Sequence, residues 1–208
     1  MATTELWTVI HAERRALVAD LEPLGDEQWS TPSLCALWSV HQVLGHMVAT
    51  AKMTPPRFFA GMAASGFRFN SFTAAGVGRE TTGPPRETLA HFKAQLNATT
   101  HPPGPVGAMV GEAVLHGEDI RRPLGIQRDY PIETLVTVAD FYKGSNLLLG
   151  TKTRIAGLTL RAADVDWSTG SGPEVRGPMI SLLLGMTGRA AGLAQLSGEG
   201  MATLRSRL

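Results

Sequence analysis

The sequence is poor in cysteine and in clustered charge. Its single cysteine, Cys35, cannot form a disulfide within the chain. Lys and Arg number 19 against 18 Asp and Glu, which gives a formal net charge of +1. The sequence has no run of basic residues that could neutralise a row of phosphates. These absences exclude a disulfide framework and argue against nucleic acid as the main partner.

Long apolar runs are also missing. The N-terminus lacks the basic start and apolar run of a secretory signal, and the purely apolar stretches, such as residues 179–184, are far shorter than the ~20 residues of a membrane-spanning helix. We therefore expect no membrane association, and a reducing cytoplasm is the predicted location. The 208 residues, 43% hydrophobic and 18% charged, are typical of a globular domain, alone or with a small appendage.

Apolar residues recur at helical spacing in five segments of the first 150 residues. The second segment, which Ser39 can cap, carries no charge as far as Ala51, so this helix is predicted to be buried on all sides. The prolines and glycines between residues 55 and 83 predict a long connection after it. The five predicted helices are residues 3–24, 39–51, 86–99, 105–122 and 132–149.

The period changes to two after residue 150. Residues 158–163 alternate as in a half-buried strand, residues 168–173 predict a turn, and a second short strand around Val175 precedes a helix that Gly188 ends. The sequence thus predicts a mainly α fold, with a helical domain over residues 1–150 and a small α/β region over residues 151–208.

Glu112 and His116 stand four residues apart on the fourth helix, so their side chains share one face, which Asp119 extends. His46, on the uncharged second helix, needs a partner for its ring. Together, His46, Glu112 and His116 form a reasonable divalent-metal set with an open coordination position. The alternatives are a simple Glu–His hydrogen bond and a core histidine bonded to a backbone carbonyl.

Other polar residues are weaker candidates. His41 lies ~140° from His46 around the helix, so the two cannot share a site, and we predict that His41 is not a ligand. Cys35 has no activating partner nearby in the sequence and is expected to be a small, buried apolar residue. No nucleophile elbow, Walker loop or dinucleotide-binding glycine motif is present.

Three segments resemble those of the mycothiol-dependent maleylpyruvate isomerase family. They are TPSLCALWSVHQVLGHMV at residues 31–48, EAVLHGEDIRRPLG at residues 112–125, and the stretch from residue 158 to residue 200 with its Leu-rich helix ending in T-G-R. The resemblance covers nearly the whole chain. It implies a four-helix bundle of the superfamily that includes the DinB-like and bacillithiol-transferase-like proteins, with an extra helix and a small C-terminal α/β portion.

The resemblance also implies a site and an activity. A divalent metal, most simply zinc, is expected on His46, Glu112 and His116, with Asp119 as a supporting or pocket residue. Mycothiol is expected as the cosubstrate, its thiolate attacking a small electrophile in a transfer or a cis–trans isomerisation. Arg176 and Arg189 are candidates for binding a carboxylate substrate, and the protein is expected to be a monomer or a homodimer.

The sequence is also compatible with two further classes of function. The bundle could hold a metal or a small ligand without catalysis, or the metal could activate water in a hydrolase. A thiol-dependent change in an electrophile's absorbance that needs both the metal and the thiol would separate the thiol enzyme from both.

Overall fold

The computed structural model describes residues 1–147 and 149–208, and it contains two compact units, Met1–Arg128 and Asp129–Leu208. The predicted mainly α class is confirmed: helices predominate and the one described sheet is small. The division falls earlier than the predicted boundary at residue 150. The helix Ile132–Lys143 lies in the C-terminal unit, where it packs on Met179–Met186.

Six α-helices build the N-terminal unit. The helix α2 (Val40–Ala51) lies among α4 (Phe69–Glu80), α5 (Pro85–Lys93) and α6 (Gly107–Arg121), and residues of α2 form the centre of the unit's hydrophobic core. A 3₁₀ turn, Asp26–Ser30, precedes α2, and another, Arg122–Leu124, follows α6. The bounds of the helices are α1 Thr3–Leu21, α2 Val40–Ala51, α3 Pro55–Ala64, α4 Phe69–Glu80, α5 Pro85–Lys93 and α6 Gly107–Arg121.

The prediction that α2 is buried is confirmed. Val40, Leu44 and Val48 are fully buried, and Ser39 caps the helix by accepting a hydrogen bond from the Gln42 N–H. Gly45 faces α4 closely, since a Cβ atom there would lie 2.5 Å from the Thr81 side chain. A small residue at this position therefore lets the two helices approach each other.

The predicted long connection between residues 55 and 83 is wrong, because this segment forms α3 and α4. Pro55 and Pro56 occupy the first turn of α3, where the missing N–H costs no helical hydrogen bond. Gly61 lies inside α3 against the Phe72 ring, where a Cβ atom would lie 2.5 Å from a ring carbon. The glycine there serves helix packing and does not break the helix.

Ion pairs join α1 to α6 and to the segment after it. Arg121, fully buried, donates from its Nε atom to Asp20 at 2.7 Å. Arg128 donates to the buried carboxylate of Glu13 at 3.0 Å. These pairs hold α6 in a set rotation against α1, and that rotation determines which way the polar face of α6 points.

The C-terminal unit combines helices with a three-stranded sheet in the order β2 (Ser168–Gly170), β1 (Thr159–Ala162), β3 (Glu174–Gly177). Strand β1 pairs antiparallel with β2 and parallel with β3, and Leu160 stands opposite both Thr169 and Val175. The described elements of this unit are α7 Ile132–Lys143, α8 Thr151–Arg154, β1 Thr159–Ala162, β2 Ser168–Gly170, β3 Glu174–Gly177, α9 Met179–Met186, the 3₁₀ turn Ala190–Gln195 and α10 Met201–Arg205.

The predicted first strand, the strand at Val175 and the following helix are confirmed as β1, β3 and α9. The predicted turn at residues 168–173 begins with β2, since residues 168–170 pair with β1 before the chain turns. The fifth predicted helix ends at Lys143 and not at residue 149. Gly144 follows it in a turn, and residue 148 of that prediction lies outside the described residues.

Within residues 1–147 and 149–208, no helix has both the length and the apolar character needed to cross a membrane.

Candidate metal centre

Helices α2 and α6 bring His46 and His116 together. Their ring centroids lie 4.8 Å apart with the planes at 79°, an edge-to-face contact. Trp38, just before α2, packs on the other side of His46 with its ring centroid 5.2 Å away. Two of the three predicted metal ligands therefore come together from separate helices.

Asp119 orients the His116 ring. Its Oδ2 atom lies 2.9 Å from Nδ1 of His116, and its side chain is fully buried. A carboxylate at this distance favours the tautomer in which Nδ1 carries the proton, and Nε2 then has the lone pair that a metal needs. The contact agrees with a supporting role for Asp119, which stays a prediction.

Glu112, one turn before His116, has a buried carboxylate that is only partly satisfied. Its Oε1 atom has no hydrogen-bond partner in the part of the chain that the structure describes. Burial raises the pKa of Glu112 to about 7, and the nearby charges of His116 and Arg14 oppose this rise. A buried acceptor without a donor is costly, unless a cation completes its surroundings.

The His46 ring is held neutral. Burial and the proximity of His116 together lower the pKa of His46 to about 3, against the opposing effect of the Asp119 carboxylate. A neutral imidazole is the form that binds metals. The site thus contains two histidines and a carboxylate in an environment that suits a divalent ion.

Cys35 lies beside this site, which the sequence did not predict. Among the described residues, one set of three potential ligand atoms lies within 4.8 Å of one another, and it comes from Cys35, His116 and Asp119. As expected, Cys35 packs against the hydrophobic core, but its side chain is only partly buried. No sequence spacing could reveal the contact, because tertiary packing alone brings the loop before α2 onto α6.

The loop that carries Cys35 is held by its own hydrogen bonds. The Ser33 Oγ atom accepts from the Cys35 N–H at 3.1 Å and lies 2.8 Å from the Trp38 carbonyl, to which it donates. The Leu34 N–H donates to the Asp119 carbonyl at 3.1 Å. These contacts dock the loop on the turn of α6 that carries the site.

His41, the other histidine of α2, contacts a different helix. Its Nε2 atom lies 2.8 Å from the Thr88 hydroxyl on α5. That hydroxyl donates to the Glu80 carbonyl at 2.7 Å, so it accepts the proton of His41 Nε2. The ring therefore has a structural hydrogen bond away from the face that His46 presents to α6.

We expect His41→Gln to leave metal binding close to the wild-type level, because the glutamine amide can still donate to Thr88 and the His46 face is unchanged. The check is metal content per folded protein after dialysis against a limiting zinc buffer. A folded His41→Gln protein that has lost its metal would contradict the assignment of the two histidines to separate roles.

Arg176 and Arg189, the candidates for binding a carboxylate, belong to the C-terminal unit. Arg176 lies on β3 with an exposed side chain, while its backbone pairs with Ser197. Arg189 is partly buried after α9 and donates to the Thr187 carbonyl at 3.2 Å. Their part in substrate binding stays a prediction.

A pH effect on the metal-free protein follows from Glu112. The unfolded chain binds this proton with the ordinary pKa of 4.5 and the folded protein with a pKa of about 7, so the folded state holds more protons between these values. The free energy of unfolding should therefore fall as the pH rises from 4.5 to 7. Glu112→Gln has no group that titrates at this position, so its free energy of unfolding should not fall in this way. We expect the difference in free energy of unfolding, Glu112→Gln minus wild type, to grow by up to ~3 kcal/mol between pH 4.5 and 7.

Urea denaturation of both proteins in a chelating buffer, at several pH values from 4.5 to 8, measures this difference. An advantage that stays constant with pH would show that the Glu112 carboxylate does not titrate in the folded protein as its burial requires.

Comparison with known proteins finds a family model and two solved structures that this chain resembles. Residues 10–102 match the family model described as the mycothiol maleylpyruvate isomerase N-terminal domain. A crystal structure of the mycothiol-dependent maleylpyruvate isomerase is similar in fold, with a TM-score of 0.68 at 16% identity, and the alignment covers 96% of this chain and 93% of that chain. A structure of a histidine-to-alanine mutant of that enzyme matches with a TM-score of 0.65 at the same identity and coverage. A search among curated proteins found no match.

Proposed function

We propose that this chain, whose residues 10–102 match the family model of the mycothiol maleylpyruvate isomerase N-terminal domain, is a metal-dependent enzyme that uses a low-molecular-weight thiol. Mycothiol is the proposed cosubstrate, and a small electrophile is the second substrate. The reaction is a thiol transfer or a thiol-assisted cis–trans isomerisation. We place it in the cytoplasm, where the lone cysteine stays reduced.

The observation that carries the proposal is the contact between the His46 and His116 rings, together with the buried, unsatisfied Oε1 atom of Glu112 one turn before His116 on α6. Two imidazoles and one carboxylate suit zinc or another first-row divalent ion and leave a coordination position open. We propose these three residues as the ligands. A bound divalent ion there would lower the pKa of the cosubstrate thiol and hold its sulfur as a thiolate.

The chain's own residues prepare the site for this chemistry. Asp119 fixes the His116 ring through Nδ1 and strengthens Nε2 as a donor. Glu112 supplies a negative charge against the divalent ion. Trp38, packed on His46, limits the water that reaches the imidazole.

An isomerisation in such a site uses the thiolate twice. The sulfur adds to one carbon of an electron-poor cis double bond, which becomes a single bond about which the molecule can rotate. Elimination of the same thiolate then restores the double bond as the trans isomer, so the thiol is regenerated. An acidic substrate would need a cation, for which Arg176 and Arg189 remain our candidates.

The experiment combines metal analysis with turnover. The purified full-length protein is assayed on maleylpyruvate and on a panel of other conjugated cis-alkene acids and small electrophiles, with metal and mycothiol each present or omitted. We expect turnover only when both are present. Metal binding without any turnover would favour a non-catalytic module, and metal-dependent turnover without thiol would favour a hydrolase.

A further inference from the structure

We propose that Cys35 is an additional ligand, whose thiolate binds the ion at His116 before the cosubstrate thiol arrives. This inference deepens the proposed function and rests on it, since both require a metal at α6. It adds a sulfur donor to a site whose predicted ligands are nitrogen and oxygen. The Cys35 thiolate would then occupy the coordination position at which the cosubstrate thiol must bind.

The first support is distance. Ligand atoms of Cys35, His116 and Asp119 lie within 4.8 Å of one another. Cys35 and His116 are the two members of this group that could share one ion, with Zn–S and Zn–N distances of about 2.3 Å and 2.0 Å, while Asp119 stays bonded to Nδ1 of His116. His116 belongs both to this group and to the predicted ligand set, so the two sets meet at one imidazole.

The second support is the way the loop is anchored. Ser33 binds the backbone on both sides of Cys35, and the Leu34 N–H donates to the carbonyl of Asp119. The cysteine is therefore held directly against the turn of α6 that carries His116.

The third support is independent of the cysteine. The buried Oε1 atom of Glu112 has no hydrogen-bond partner within the described residues, and Glu112 is close enough to His116 for their charges to interact. An unsatisfied buried carboxylate oxygen beside the shared imidazole indicates that a cation belongs there. Cysteine sulfur is among the preferred ligands of zinc.

Thiol exchange at such a site balances without an oxidant. The incoming thiol gives up its proton as its sulfur binds, and the Cys35 thiolate takes up one proton as it leaves. No electrons are transferred, and the total charge at the site is unchanged. Cys35 would thus act as a place-holder that keeps water from the coordination position in the resting enzyme.

Cobalt substitution tests the proposal on the full-length protein. Because Cys35 is the sole cysteine, a thiolate-to-Co(II) charge-transfer band in the absence of added thiol can come only from this residue. We expect the wild-type protein to show this band together with the d–d bands of bound Co(II). Cys35→Ser is expected to keep the d–d bands and lose the charge-transfer band.

Alkylation of the wild-type protein gives a second measurement that needs no variant. Iodoacetamide can modify only one thiol in this chain. We expect the rate of this modification to lose its pH dependence between about pH 6 and 9 when Zn(II) is bound, since the ion keeps the sulfur as a thiolate throughout. The protein dialysed against chelator serves as the control. The same pH dependence with and without zinc would overturn the proposal even if Cys35→Ser failed to fold.

Three outcomes distinguish the role of Cys35 from the proposed function. Wild-type d–d bands without a charge-transfer band would overturn the role of Cys35 and leave the proposed function standing. An absence of any Co(II) or Zn(II) binding would overturn both. A charge-transfer band that persists in Cys35→Ser would assign the sulfur to another source and also overturn the role of Cys35.

Discussion

Replacing His116 by alanine is expected to abolish metal binding and thiol-dependent turnover without unfolding the protein. His116 contacts His46, Asp119 and the region of Cys35, so every ligand set considered for this chain includes it. We expect metal affinity to fall by at least ~100-fold, more than the loss of a supporting residue causes. The helices should persist because apolar burial around α2 supplies most of the stability.

Metal content and far-ultraviolet circular dichroism of the same sample decide this prediction. His101→Ala is the matched control, because His101 bonds locally to the Pro102 carbonyl and belongs to none of the ligand sets. Full metal occupancy in a folded His116→Ala protein would refute the site. A metal-free His116→Ala protein that kept full activity would refute the mechanism.

The second large effect is expected from Asp119→Asn. The asparagine can still accept the hydrogen bond from His116 Nδ1 through its carbonyl oxygen, so the ring keeps its orientation. The negative charge is lost, however, and the imidazole becomes a weaker donor at Nε2. We expect metal affinity to fall about 10- to 100-fold with the fold unchanged.

Glu118→Gln provides a close comparison for Asp119→Asn. Glu118 is the preceding residue on α6, is almost fully buried and accepts from Arg122 Nε at 2.7 Å. The two substitutions remove the same charge from adjacent buried positions. Metal titrations should therefore distinguish them, and an equal loss of affinity in both variants would indicate a general charge effect and not a specific role of Asp119.

Much of the helical framework could be predicted from local patterns. The uncharged stretch after Ser39 is the buried helix α2, and the alternation around Leu160 is strand β1. The prediction for the segment from Pro55 to Glu80 was wrong because proline and glycine occur in two structural contexts. Both residues end helices, but proline also occupies the first turn of a helix, and glycine also allows two helices to pack closely. Only packing distinguishes the two cases.

The sequence by itself determined which side chains share a face of one helix. The helical period places Glu112, His116 and Asp119 on one side of α6 and separates His41 from His46 on α2. Those relations are local, since they follow from the rotation per residue.

The tertiary structure alone decided what faces these side chains. It directed His46 to α6 and His41 to Thr88 on α5, and it set Cys35 beside His116. These contacts depend on how apolar surfaces and close-packed glycines dock whole helices, so they are not encoded in any short spacing. The physical reason is that periodicity orients a side chain about its own helix axis, while its neighbour is chosen by the packing of the entire core.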